Sequence, residues 1–253
     1  MELIFDHVLG KQEDQDLVIC RPMAIVQPEE EDDAVEQGWL ALDHDYKNKE
    51  VWYQSRRTRI DLRKYEPRFR KFEHDGKPLG MKTIEANEMV SLLGLPKIYR
   101  QYMKDKKFGA DYDPFRFYHD RDRFLIFYID SPDNIVGFTK QKYYKYQEDI
   151  LTAQAKEENP TMLQGVESVI HANSIPISAL SLDMELTWAQ ENCVSHYYLG
   201  SGYEKSSEYK ASWKGFEWWT GTEWSTDKKL YKKLCRRDSR LTLFSDVENL
   251  SHL

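Results

Sequence analysis

Between Gly165 and Gly200 the chain spells strand, helix, strand, and that order restricts its fold more than any other stretch. Gly165 to His171 is a β-forming run. After Pro176, the residues Ile177, Leu180, Met184 and Trp188 recur at helical spacing, with Leu182, Leu186 and Ala189 beside them. A helix that is apolar around much of its girth is a buried one. Ser178 is its expected N-cap, and Asn192-Cys193 its expected end. Val194 to Leu199 is then a second strand, stopped at Gly200-Ser201-Gly202.

The flanking text fits the same plan. Arg123 to Ile129 is rich in β-formers, Ser131-Pro132-Asp133-Asn134 is a turn, and a partner strand runs from Ile135 towards Tyr144. Upstream, Trp39 to Leu42 and Val51 to Tyr53 predict a hairpin. Residues 88–108 have helical spacing, interrupted by Gly94 and Pro96, and 145–164 are polar, predicting helix and loop. The acidic run Glu29 to Asp33 predicts a solvated loop or a helix start. Short strands are expected within 213–219 and near Trp224, and the charged tail after 227 is expected to be peripheral. Together these predict a mixed α+β sheet with helices on both faces, in residues 81–253. A smaller α+β region, residues 1–80, precedes it.

Composition narrows the function. A net charge of −7 excludes a non-specific nucleic-acid coat but permits a local basic footprint. Residues 56–71 supply one, with eight cations against two anions, and with Tyr65 and Phe69 interleaved. The cysteines Cys20, Cys193 and Cys235 form no CxxC pair, so no metal site is expected, and a sparse odd set suits a reducing compartment. Residues 1–10 lack a basic-then-apolar signal pattern, and no apolar run reaches the roughly 18 residues of a spanning helix. A soluble cytoplasmic protein with no membrane partner is therefore expected. No G-x-S-x-G, H-E-x-x-H or Walker pattern points to hydrolysis.

The stretch from Ser181 to Trp213 resembles the C-terminal half of arginyl- and leucyl-tRNA–protein transferases, whose core is of the GNAT acyltransferase type. The matching positions are Tyr198, Leu199, Gly200, Ser206, Tyr209, Lys210 and Ala211, with Phe216-Glu217 and Gly221 to Trp224 downstream. Residues 55–71 are similar to the family's segment in which a strand ending Arg-Ile (here Arg59-Ile60) and an aromatic-x-Pro (here Tyr65-Glu66-Pro67) precede a basic helix. The family's cysteine cluster is not matched: Tyr53, Gln54 and Ser55 stand where its later cysteines would be.

The resemblance implies transfer of an amino acid from aminoacyl-tRNA to an amine of a protein or peptide acceptor, with no cofactor. The ester is already activated, so no covalent nucleophile is required; the enzyme must hold the amine, remove its proton and stabilise the oxyanion. In a GNAT-like sheet two neighbouring strands splay apart, and here these would be 165–171 and 194–200. The resemblance implies Tyr198, Gly200, Tyr209 and Lys210 as catalytic residues. His171, Asp183, Glu185, Tyr197, Ser201 and Ser206 are the implied substrate contacts, and Arg56, Arg57, Arg59, Arg63, Arg68 and Arg70 the implied RNA contacts. Two rival readings stand beside it. One is an N-acetyltransferase using acetyl-CoA, although Asn173 to Leu180 lacks the glycines that would cradle a pyrophosphate. The other is a non-catalytic binding protein on a degenerate transferase core.

Overall fold

A computed structural model describes residues 1–4, 22–46, 49–54, 56–85, 94–106, 122–144, 161–170, 175–202 and 205–238. In chain order the strands are β1 (Glu2–Ile4), β2 (Met23–Ile25), β3 (Trp39–Tyr46), β4 (Lys49–Gln54), β5 (Arg57–Asp61), β6 (Glu73–His74), β7 (Lys77–Glu85), β8 (Asp122–Ile129), β9 (Ile135–Tyr144), β10 (Thr161–Ile170), β11 (Val194–Ser201), β12 (Phe216–Trp219) and β13 (Trp224–Ser225). The helices are α1 (Glu31–Glu36), α2 (Leu95–Lys106), α3 (Ile175–Glu191) and α4 (Lys228–Asp238), with 3-10 segments at Pro28–Glu30 and Lys205–Ser212. The chain groups into two compact units, residues 1–61 with 198–253 and residues 62–197. The first unit is discontinuous in sequence, whereas the sequence suggests a contiguous division after residue 80.

In the unit 62–197 the strands run in the order β11-β10-β9-β8-β7-β6, with β7, β8, β9 and β10 successively antiparallel. Alternation along β8 explains the layering. Leu125, Phe127 and Ile129 pack with Leu180 and Met184 of α3, while Phe124 and Ile126 pack with Leu95 and Tyr99 of α2. Helices therefore cover both faces of this sheet, as the α+β expectation required. Burying each of these large side chains contributes about 1.5–3 kcal/mol. β10 and β11 are neighbours in the sheet and are joined through α3, so strand, helix and strand form one unit.

In the other unit β1-β2-β4-β3 form an antiparallel sheet around Met23, Leu40, Val51 and Tyr53. β13-β12-β5 lie beside the C-terminal half of β11, with Phe216 opposite Ile60 and Trp218 opposite Thr58. α4 seats Tyr231 against Phe216 and Trp218, at centroid distances of 4.8 and 6.0 Å.

Several local expectations need correction. α3 starts at Ile175, so Pro176 occupies its first turn, where no backbone donor is required, and Ser178 is an exposed helical residue rather than the cap. β10 begins at Thr161, taking residues 161–164 from the predicted loop. Leu62 to Phe72 consists of turns and bends and not a basic helix. The tail after 227 is not merely peripheral, because Tyr231 and Cys235 of α4 are fully buried. The expected helix and loop over 145–160 and the helical residues 88–93, 107 and 108 lie outside the described residues.

Candidate functional site

Two polar clusters gather most of the residues singled out by the sequence, one in each unit. In the unit 62–197, α3 brings two acids into its buried face. Glu185 accepts a hydrogen bond of 2.7 Å from Thr139 Oγ1 and another from the Tyr197 hydroxyl. Tyr197 in turn accepts from Gln141 Nε2 at 3.0 Å. Thr139 and Gln141 are two apart on β9 and so share one face of the sheet. Burial pushes the Glu185 carboxyl up to about 7, against the opposing pull of hydrogen bonds from Tyr197, Thr139 and Gln141. Gln141 Oε1 is buried and has no hydrogen-bond partner among the described residues. The cluster thus holds a carboxyl that changes protonation near neutral pH, a phenol bonded to it, and an unused amide acceptor.

Asp183 faces different company. Its carboxylate accepts the backbone N–H of Arg68, at 3.1 and 3.0 Å, that of Phe69 at 2.9 Å, and the Tyr65 hydroxyl. Burial, and then the hydrogen bond to Asp183, hold the Tyr65 phenol above its usual range. Both carboxylate oxygens of Asp183 are engaged in clasping the 65–69 turn onto α3, which is how a buried carboxylate is normally compensated.

In the other unit, Tyr198 is fully buried beneath two guanidinium groups, Arg57 at 4.4 Å and Arg59 at 5.9 Å from its ring centroid. Burial raises its phenol above the usual range while both arginines pull it down. Arg59 also lies 3.8 Å over the Trp224 ring and pairs with Glu217 at 2.8 Å. The four carbonyls that follow Tyr198 are all taken by side chains. Lys210 Nζ donates to Leu199 O at 2.7 Å and Ser201 O at 2.6 Å, and Thr58 Oγ1 donates to Gly200 O at 3.0 Å. Gly202 O accepts from Cys235 Sγ at 3.0 Å and from Arg56 Nη1 at 3.4 Å. Gly200 has φ +76°, a conformation that favours glycine. Gly202 is required for another reason, since a Cβ there would come within 2.6 Å of the Tyr231 hydroxyl.

Tyr198, Gly200 and Lys210 are therefore gathered at the end of β11, where Lys210 is 8% exposed and fastens the strand end to the 3-10 segment. Tyr209 is 55% exposed. Ser201 is half-buried, Ser206 lies in the 3-10 segment with its side chain outside the description, and His171 lies outside the described residues. The basic segment divides. Arg57 is fully buried and donates to the carbonyls of Val35 and Trp39, Arg56 pairs with Asp238 at 2.8 Å, and Arg59 with Glu217. The three guanidinium groups expected to contact RNA are thus each held by carbonyls or carboxylates inside their own unit. Arg63, Arg68 and Arg70 are exposed on the 62–72 turns.

Thr139, Gln141, Thr58, Glu217 and Trp224 escaped the sequence reading as site residues. The polar run Thr139-Lys140-Gln141-Lys142, buried inside a strand, was the available signal for two of them. Among the described residues no group of three or more metal-ligating side chains is assembled.

No family model and no curated protein matches the chain. Similar solved structures include the C-terminal DUF2156 domain of a putative lysylphosphatidylglycerol synthetase from Agrobacterium fabrum, at 10% identity and a TM-score of 0.40, covering 72% of this chain and 54% of that one. L-PGS from Bacillus licheniformis is similar at 9% identity and a TM-score of 0.40, over 70% of this chain and 50% of that one. The chain thus spans about half the length of the solved chains it matches. A TM-score of 0.40 transfers no activity. The cytoplasmic expectation is withdrawn: the similar structures include a domain of a putative lysylphosphatidylglycerol synthetase, which does not support that assignment. Among the described residues no helix is long and apolar enough to cross a membrane.

Proposed function

We propose that the chain is an acyltransferase that moves an amino acid from charged tRNA to an amine of a protein or peptide acceptor. The observation that carries this reading is the buried Glu185–Tyr197 pair, set where the strand–helix–strand unit β10-α3-β11 brings helix and strand together. Aminoacyl transfer needs a group that accepts a proton near neutral pH, because an attacking amine must lose one. In this reading the amine attacks the ester carbonyl, a C–N bond forms, and the C–O bond to the tRNA ribose breaks. The proton passes from the amine through the Tyr197 hydroxyl to Glu185 and is returned to the leaving ribose oxygen.

The resemblance at Tyr198, Gly200, Tyr209 and Lys210 supports the same reading. Their bonding suits positioning: Tyr198, Gly200 and Lys210 hold the end of β11 in one geometry. Arg63, Arg68 and Arg70, expected from the sequence to contact RNA, are exposed on the 62–72 turns.

A thermal-shift comparison of charged tRNA, bare tRNA and acetyl-CoA tests the donor class. Charged tRNA at about 100 times its dissociation constant should stabilise the protein by roughly 2.7 kcal/mol, with acetyl-CoA without effect. Stabilisation by acetyl-CoA alone would move the protein to the coenzyme-A-dependent class.

A further inference from the structure

Helix α4 has two faces of opposite character. Tyr231, Cys235 and Asp238, at i, i+4 and i+7, are buried. Lys229, Lys232, Lys233 and Arg236, at i, i+3, i+4 and i+7, form a stripe on the opposite side, with Arg237 flanking it. Asp227 caps the helix by accepting the backbone N–H groups of Lys229 and Leu230, at 3.0 and 2.9 Å. Arg236 is clamped to Glu208 by two bonds of 2.8 Å, and the Tyr231 hydroxyl donates to Ser207 O at 3.1 Å. These bonds join α4 to the 3-10 segment that carries the exposed Tyr209. Lys229 and Lys233 are exposed and make no ion pair among the described residues.

We infer that the basic face of α4 is a docking surface for the phosphate backbone of RNA. Of the six cations on this eleven-residue helix, Lys228 donates to Trp213 O, Arg236 pairs with Glu208 and Arg237 with Asp238, while Lys229, Lys232 and Lys233 concentrate positive charge on the outer face of a chain whose net charge is −7. Cations three and four residues apart on a helix are spaced about 5–6 Å, a ladder that can follow successive phosphates. Tyr209, on the adjoining segment, offers a ring for base stacking. A membrane surface fits less well. The apolar face of α4 is spent on the protein's own core, and among its described residues Leu230, at 43%, is the exposed large apolar side chain left for insertion. The inference rests on tRNA being the donor, and it moves the phosphate contacts away from Arg56, Arg57 and Arg59.

The test is binding of fluorescent bare tRNA by anisotropy across a salt series, for the wild-type chain, Lys229→Ala/Lys233→Ala and Arg63→Ala/Arg70→Ala. The α4 pair, both exposed, should fold normally, bind roughly tenfold more weakly, and lower the slope of log K against log salt by about two. An unchanged slope in the α4 pair overturns the surface and leaves transfer from tRNA standing, more so if the Arg63/Arg70 pair carries the loss. Sedimentation with phosphatidylserine–phosphatidylcholine vesicles, lost in the α4 pair while RNA binding persists, overturns it in favour of a lipid surface. A wild-type chain that forms no salt-sensitive RNA complex removes both the surface and the donor reading.

Discussion

Replacing Glu185 by Gln is expected to leave the fold intact and to slow aminoacyl transfer by about 10²–10⁴-fold, the usual contribution of a positioned general base. Gln keeps the shape and can still bond Thr139 and Tyr197, but it cannot take a proton. The wild-type rate should rise with pH through about 7 as the Glu185 carboxyl ionises, and this limb should vanish in the variant. Stability gives an independent reading of the same group. The carboxyl titrates near 4.5 when unfolded and near 7 when folded, so between those values the native state binds the extra proton. Stability therefore falls as pH rises through this window, by on the order of 3 kcal/mol, and the loss is complete above about pH 7. Glu185→Gln should flatten that slope. A variant of full activity, with melting unchanged in its pH dependence, would show that Glu185 is ionised and idle.

Lys210→Met is expected to lower the melting temperature by roughly 6–12 °C, which corresponds to about 3 kcal/mol for a chain of this size. Met keeps the apolar stem but removes the donors to Leu199 O and Ser201 O, leaving two carbonyls of the strand end without their charge-assisted bonds. Amide exchange should accelerate at residues 198–202 first, because that is where the bonds are lost. Activity should fall with stability and recover in part on cooling. An unchanged melting curve with lost transfer would instead make Lys210 a group that touches the substrate.

The strand–helix–strand unit was legible because its signals are local. An all-round apolar helix and β-forming runs on either side of it have few other uses. β7 was not legible: its first half, Lys77-Pro78-Leu79-Gly80, mixes a proline and a glycine into the alternation, and its strand character comes from pairing with β8. α4 was misjudged for a similar reason, since single buried positions at Tyr231 and Cys235 are outnumbered by lysines and arginines. The basic segment shows the limit of counting charges. Arg57 and Arg59 project from one face of β5 onto Tyr198, and their acceptors come from β3, from Glu217 and from the carbonyl of Val35. Glu185 meets Thr139 across 46 residues, and no local pattern reports such a contact. Only the polar run within β9 hinted that a second polar partner was needed there.

Formation of an amide from a tRNA-borne amino acid is what the proposed function requires. It is tested by incubating the chain with a tRNA pool charged with labelled amino acids and a peptide bearing a free amino terminus. Label is expected in an alkali-stable amide on the peptide, abolished by prior ribonuclease treatment and by Glu185→Gln. Label that stays ester-linked to tRNA, while labelled acetyl-CoA acylates the same peptide, would contradict it.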